Sequence, residues 1–265
     1  MINEAHEVPL TQAEVDTILL ECGSTALLVG GQALAIWAEF FQIEPTGVLS
    51  KKVTADADFI APKTVANQLS LVLKWRLYLP TFEDSTSQTA KVATTLPDGG
   101  VKQVDFLSSI VGLETSKIQK RAAELELPTG TKVRILSPPD VLESRLRNLD
   151  ILSSKQNEAG VAQAELAIAV VGKFFDFLID SDTGVRGLLD VVKRVTQIAF
   201  DPRLAQVCFK YSLNPLSSIP VEKIESESFQ SKRWPQILAR AEELRQKQIK
   251  LQDRLDSCRQ TKKTD

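Results

Sequence analysis

The chain has 265 residues, 43% apolar and 25% charged, the make-up of a soluble globular protein that can build a normal core without staples. A net charge of −2 with a pI near 5.7 excludes a global field drawing the chain to nucleic acid or an anionic membrane, while leaving room for local basic patches. Three scattered cysteines and a single histidine, His6, argue against a disulfide framework, a zinc site and Ser-His-Asp or Cys-His chemistry, so any catalysis has to run on carboxylates, lysines, hydroxyls or a metal.

The N-terminal stretch MINEAHEVPL lacks the apolar segment of a signal peptide. No apolar run reaches the roughly 20 residues of a membrane span. The longest, Ala167 to Ile179, carries Lys173 and Asp176 and reads as a buried helix. Free cysteines without an export signal point to a cytoplasmic protein.

In chain order, Thr11-Gln-Ala-Glu14 has capping-box spacing and precedes Val15, Ile18 and Leu19 at helical intervals. Residues 25 to 31, TALLVGG, read as a strand ending in a glycine turn, with a helix over QALAIWAEFF behind it. Residues 53 to 60 read as the next strand. Pro62 suits the first position of a helix running from about Thr64 to Leu73. Asp98-Gly99-Gly100 separates two strand-like runs and marks a hairpin. A further strand, KVRIL at 132 to 136, ends at Ser137-Pro138-Pro139, which punctuates the chain into domains 1–136 and 137–265.

Beyond the prolines, strand patterns disappear and successive segments carry helical periodicity. The last, from Pro235 to about Ser257, places Ile237, Ala241, Leu244, Gln248, Leu251 and Leu255 on one stripe. That stripe suits a long helix packed against its own bundle, or a seam between two copies. The expected architecture is α+β: a mixed sheet flanked by helices, followed by a helical bundle.

Within KKVTADADFIAP, two aspartates interrupt an apolar run. On a strand, Val53, Ala55, Ala57 and Phe59 fall on one face, and Thr54, Asp56, Asp58 and Ile60 on the other. Asp56 and Asp58 then project side by side about 7 Å apart. Two anions so close repel each other unless a cation lies between them, and hard carboxylate oxygens suit Mg2+ or Mn2+. The plain alternative is a solvated strand end. Gly30-Gly31, where a strand meets a helix, would let backbone N–H groups approach a phosphate, or is simply a tight turn. No G-K-S/T and no third spaced glycine follow, so neither a Walker loop nor a dinucleotide fingerprint is present. Asp105 lies on a later strand, sharing a face with Val101 and Gln103 opposite Lys102, Val104 and Phe106.

Taken in order, Val29-Gly30-Gly31, Asp56-Ala57-Asp58 and Asp105 resemble the motifs of the DNA polymerase β-type nucleotidyltransferase superfamily. The Gly-Gly form and ILSPPDVLESRLRNL (135 to 149) are most similar to the branch containing nucleotidyltransferase toxins of abortive-infection systems. The resemblance covers roughly the first 150 residues. It implies transfer of a nucleoside monophosphate from an NTP to a hydroxyl, with Asp56, Asp58 and Asp105 as catalytic metal ligands for Mg2+ or Mn2+. Gly30, Gly31 and Gln32 would then cradle phosphate, with Arg145 as a charge clamp. Gln32 stands where the family often has Ser or Thr, and Arg145 where it commonly has Lys; Lys155 is a second cation on that side, or a surface charge. The acceptor classes are RNA or tRNA, a protein side chain, or a small hydroxylated compound such as an antibiotic, and an antitoxin partner is implied for the toxin branch. The rival readings are a non-catalytic interaction scaffold on the same fold and a metal-dependent phosphohydrolase.

Overall fold

Thr11 begins the first helix as its spacing requires in the computed structural model, which describes residues 6–44, 49, 57–81, 86–127 and 129–261. Helix α1 spans Gln12–Cys22. Thr11 Oγ1 accepts from Glu14 N at 3.3 Å, and Glu14 Oε2 accepts from Thr11 N at 2.7 Å, closing the capping box. Ile18, Leu19 and Cys22 form its buried stripe. Two compact units follow the chain, Met1–Arg145 and Leu146–Asp265.

In the first unit, β1 (Leu27–Val29) leads directly into α2 (Gly30–Phe40). The two glycines are therefore the opening residues of the helix rather than a turn before it. All three β1 residues are buried, as are Ala33, Leu34, Ile36, Trp37 and Ala38 of α2. Trp37 Nε1 donates to the Leu136 carbonyl at 2.8 Å, giving the buried indole N–H its partner. Strand β2 is described over Ala57–Ile60; residues 53–56 of the expected strand lie outside the described residues. Helix α3 spans Lys63–Leu73 with Pro62 at its N-cap, one position before the expected place.

Strands β3 (Arg76–Tyr78), β4 (Gln88–Thr95) and β5 (Val101–Leu107) come next. The β4–β5 hairpin closes at the anticipated Asp98-Gly99-Gly100: Leu96 N donates to Gly100 O at 2.7 Å, and Gly99 has a φ of 86°, which favours glycine. Helix α4 (Thr115–Arg121), β6 (Ala123–Glu126) and β7 (Lys132–Ile135) complete the unit's elements before α5 (Pro138–Ile151). Strands β3 and β6 and helix α4 carry patterns too short to stand out in the sequence. Pro138 and Pro139 form the first turn of α5, where a missing N–H costs nothing.

The seven strands form one mixed sheet in the order β3-β4-β5-β2-β1-β7-β6. Strand β2 runs parallel to β5 and β1 parallel to β7, while the other neighbours are antiparallel. This is the α+β arrangement with flanking helices that the sequence implied.

The second unit is helical: α6 (Glu158–Asp180), α7 (Gly184–Phe200), α8 (Pro202–Tyr211) and α9 (Trp234–Thr261). Asn157 caps α6 by accepting from Gly160 N at 2.9 Å. Asp201 caps α8 by accepting from Arg203 N and Leu204 N at 3.0 and 3.1 Å, and its other oxygen holds Arg147 Nη2 at 2.8 Å. Val170, Val171 and Phe175 of α6 and Val195 of α7 are fully buried; burial of each such side chain stabilises by about 1.5–3 kcal/mol.

Candidate active site

The parallel pairing of β2 with β5 sets Asp58 opposite Asp105 and Phe59 opposite Phe106. Residues in register share a face, and paired strands lie about 4.8 Å apart. The two carboxylates therefore emerge side by side from one face. On the other, Phe59 and Phe106 stack with centroids 5.9 Å apart, both fully buried. The aromatic pair pins the register that pairs the acids. Val29 lies opposite Asp58 and Lys91 opposite Asp105, so one row across four strands reads Lys91, Asp105, Asp58, Val29.

The residue after Val29 is Gly30, with a φ of 70°, a backbone conformation strained for any L side chain. A Cβ built there would overlap Asp58 Oδ2. The carboxylate of Asp58 thus sits directly against the backbone at the point where α2 begins. The first N–H groups of that helix and its positive dipole end lie beside the same acid. Gly31 is buried, and Gln32 is half-buried in the first turn.

Asp105 sits in a lattice of polar side chains. Gln88 Nε2 donates to its Oδ1, Gln103 Nε2 lies 3.5 Å from Oδ2, and Lys91 Nζ lies 3.9 Å from Oδ1. Lys91 also donates to Gln103 Oε1 at 3.0 Å. The Asp105 side chain is 14% exposed and that of Lys91 32%, so the pair is partly shielded from solvent. Sequence reading singled out Asp105 and missed Lys91. The signal was present, since Lys91 is a lone charge in the strand QTAKVATT, the same irregularity that drew attention to Asp58.

Arg145 lies in α5 at 6% exposure, with Nη2 donating to Ser144 Oγ at 3.2 Å. Lys155 is exposed in a single turn of 3-10 helix in the second unit. Asp56 lies outside the described residues. The structure thus brings Gly30, Asp58 and Asp105 together across the three central strands and places Arg145 separately on α5. Among the described residues no group of three Asp, Glu, His or Cys side chains is gathered as a metal site. The donors Asp58 and Asp105 are hard oxygens in adjacent register, and such a set suits Mg2+ or Mn2+ rather than a soft metal.

A second carboxylate in this unit has a different role. Asp140 is fully buried and takes Arg121 Nε and Nη2 at 2.9 and 2.8 Å, while Ser137 Oγ donates to it at 2.9 Å. It holds α4 to the start of α5 and closes the first turn.

Among the described residues no helix is long and apolar enough to cross a membrane. No protein-family model and no curated protein matches this sequence. Solved structures similar to the chain include the following two. One is JHP933 from Helicobacter pylori, at 11% identity and a TM-score of 0.34, covering 94% of this chain and 99% of that one. The other is the Megavirus polyadenylate synthase, at 12% identity and a TM-score of 0.39, covering 69% of this chain and 38% of that one.

Proposed function

We propose that the chain is a metal-dependent nucleotidyltransferase that moves a nucleoside monophosphate from an NTP to a hydroxyl acceptor. The observation that carries this reading is the meeting of Asp58, Asp105 and Gly30 at one place. Asp58 and Asp105 are in register on adjacent parallel strands, and the Asp58 carboxylate fills the Cβ space of Gly30 at the start of α2. Carboxylates and a helix N-terminus have opposite uses for a triphosphate, one repelling it unless a cation is shared and the other attracting it. A site that keeps both side by side suits a metal-bound NTP.

In this reading Asp56, Asp58 and Asp105 hold Mg2+ or Mn2+. The bound metal supplies charge neutralisation for the leaving pyrophosphate and a lowered pKa for the acceptor hydroxyl. The backbone N–H groups of Gly30, Gly31 and Gln32 bind phosphate oxygens. Asp105 accepts the proton of the acceptor hydroxyl as its oxygen bonds to the α-phosphorus and the bond from that phosphorus to the bridging oxygen breaks. Gln88, Gln103 and Lys91 orient the Asp105 carboxylate. Arg145 is the cation the resemblance assigns to the triphosphate; at 6% exposure in α5 it would have to be uncovered to reach one.

Calorimetry of the protein with each of the four NTPs, with and without Mg2+, tests this reading. One NTP should bind only with metal, and Asp58→Ala should abolish that binding with the fold intact by circular dichroism. Transfer from the labelled NTP then identifies the acceptor among RNA, protein and small hydroxyl compounds. Binding that survives Asp58→Ala, or no binding of any NTP, overturns the assignment.

A further inference from the structure

The second unit holds an open groove of about 700 Å3 with α8 on one side and α9 on the other. Phe200, Phe209, Leu213 and Leu216 line it, together with Leu238 and Leu244 from α9. At its mouth Leu238 is 47% exposed. The groove continues into the stripe of α9, along which burial falls away step by step. Ile237 is buried, Ala241, Leu244 and Gln248 are half-buried, and Leu251 is 45% exposed. Helix α9 therefore begins on its own bundle, as the stripe allowed, and carries its heptad pattern past the point where the bundle covers it. Leu251 on the a/d stripe and Leu238 beside the groove are left open to water, and exposed leucines next to an apolar groove mark an interaction surface.

The charges beside that line say what fits it. Arg240, Lys247 and Arg254 border one edge of the stripe, and Arg245 borders the other with Leu238 and Gln252. The acids Glu242, Glu243 and Asp253 lie toward the far side of the helix. Arg245 reaches Glu242 at 3.7 Å with both side chains more than half exposed, an ion pair worth little. Arg240 packs its guanidinium over the Phe200 ring at 4.6 Å. A second copy laid on this stripe, parallel or antiparallel, would set cations against cations at the flanking positions. A nucleic acid strand would leave the apolar groove unfilled.

We propose that the α8–α9 groove and the distal face of α9 dock an amphipathic helix of a partner protein, with leucine-type residues along its seam and Asp or Glu along both edges. The apolar seam fills the groove and covers Leu244 and Leu251. The acidic edges meet Arg240, Arg245, Lys247 and Arg254, which select the partner by charge and exclude self-pairing. This inference is independent of the nucleotide site.

The test uses the full chain and two labelled synthetic heptad helices, identical except for Glu or Lys at the flanking positions. In fluorescence anisotropy the Glu helix should bind at least about tenfold more tightly than the Lys helix, a difference of about 1.4 kcal/mol. The exposed triple variant Arg245→Glu/Lys247→Glu/Arg254→Glu should reverse that order, and Leu238→Asp/Leu251→Asp should weaken both about tenfold or more. Circular dichroism should be unchanged in each. Equal binding of the two helices, failure of the reversal, displacement by a single-stranded RNA oligonucleotide, or a dimer by light scattering that blocks the peptide would each overturn the proposal.

Discussion

The carboxylate of Asp58 occupies the space in which a side chain at Gly30 would begin. No side chain can be added at Gly30 unless Asp58 moves, and the junction of β1 with α2 is shaped by that contact. Gly30→Ala adds a steric overlap to a φ of 70°, and should destabilise the protein by about 2 kcal/mol. It should also displace Asp58 and abolish metal-dependent NTP binding. Urea unfolding of Gly30→Ala, Asp58→Ala and the double variant separates the two causes. The double variant should be more stable than the sum of single effects predicts, because the overlap is gone and only the backbone strain remains.

Lys102 is 8% exposed on the sheet face of Val104 and Phe106, and its Nζ lies 2.7 and 2.8 Å from the two oxygens of Glu14. Glu14 thus caps α1 and neutralises a buried ammonium at once. Glu14→Gln leaves that charge uncompensated and should cost about 2–3 kcal/mol, below the range for a fully buried pair because Glu14 is partly exposed. Glu14→Gln/Lys102→Met should recover most of the loss in chemical denaturation.

Acid should weaken both units. Burial alone would raise the Glu14 carboxyl, but hydrogen bonds from Lys102 and Thr11 outweigh it and hold the group below its usual value. Asp201 behaves alike, with Arg147 and the N–H groups of Leu204 and Arg203 overcoming burial. A carboxyl depressed in the folded state contributes stability above its unfolded pKa, about 4.3 for Glu and 3.9 for Asp. That contribution disappears as pH falls through the lower folded values. The urea midpoint should hold from pH 7 to about 5 as far as these groups govern it, and fall below about 4. Glu14→Gln/Asp201→Asn should start lower and show a shallower acid limb.

Asp140 is fully buried between Arg121 and Ser137. Asp140→Asn keeps the shape but removes the charge opposite the guanidinium, and should cost about 2–3 kcal/mol, since Arg121 retains some access to water. Thermal unfolding reads the loss, and it should exceed that of the exposed Glu114→Gln, whose Lys117 partner is also exposed.

Cys22 and Cys208 are buried, and desolvation pushes both thiols up to about 12. Their thiolate fraction at neutral pH is therefore negligible. Iodoacetamide should leave both unmodified in the native protein and alkylate both in urea, as mass spectrometry of the digested chain would show.

Period-two alternation put Asp105 on the face of β5 opposite Lys102, Val104 and Phe106, and in the structure the first face is half-exposed and the second buried. The capping box, the hairpin glycines and the helical second half were legible for the same reason: each is a local rule acting over a few neighbouring residues. The short β3, β6 and α4 were not, because three to seven residues carry too little periodicity. Asp56, half of the aspartate pair that first drew attention, lies outside the described residues.

By itself the sequence determined which residues point the same way, through alternation and helical spacing, and hence the α+β order and the identity of the carboxylates that could share a face. It could not determine which strands become neighbours. Pairing Asp58 with Asp105, seating Asp58 on Gly30, and matching Lys102 to a helix 88 residues away depend on sheet order and register. Those are set by burial of Phe59, Phe106 and the other core side chains all at once, and no local pattern contains them.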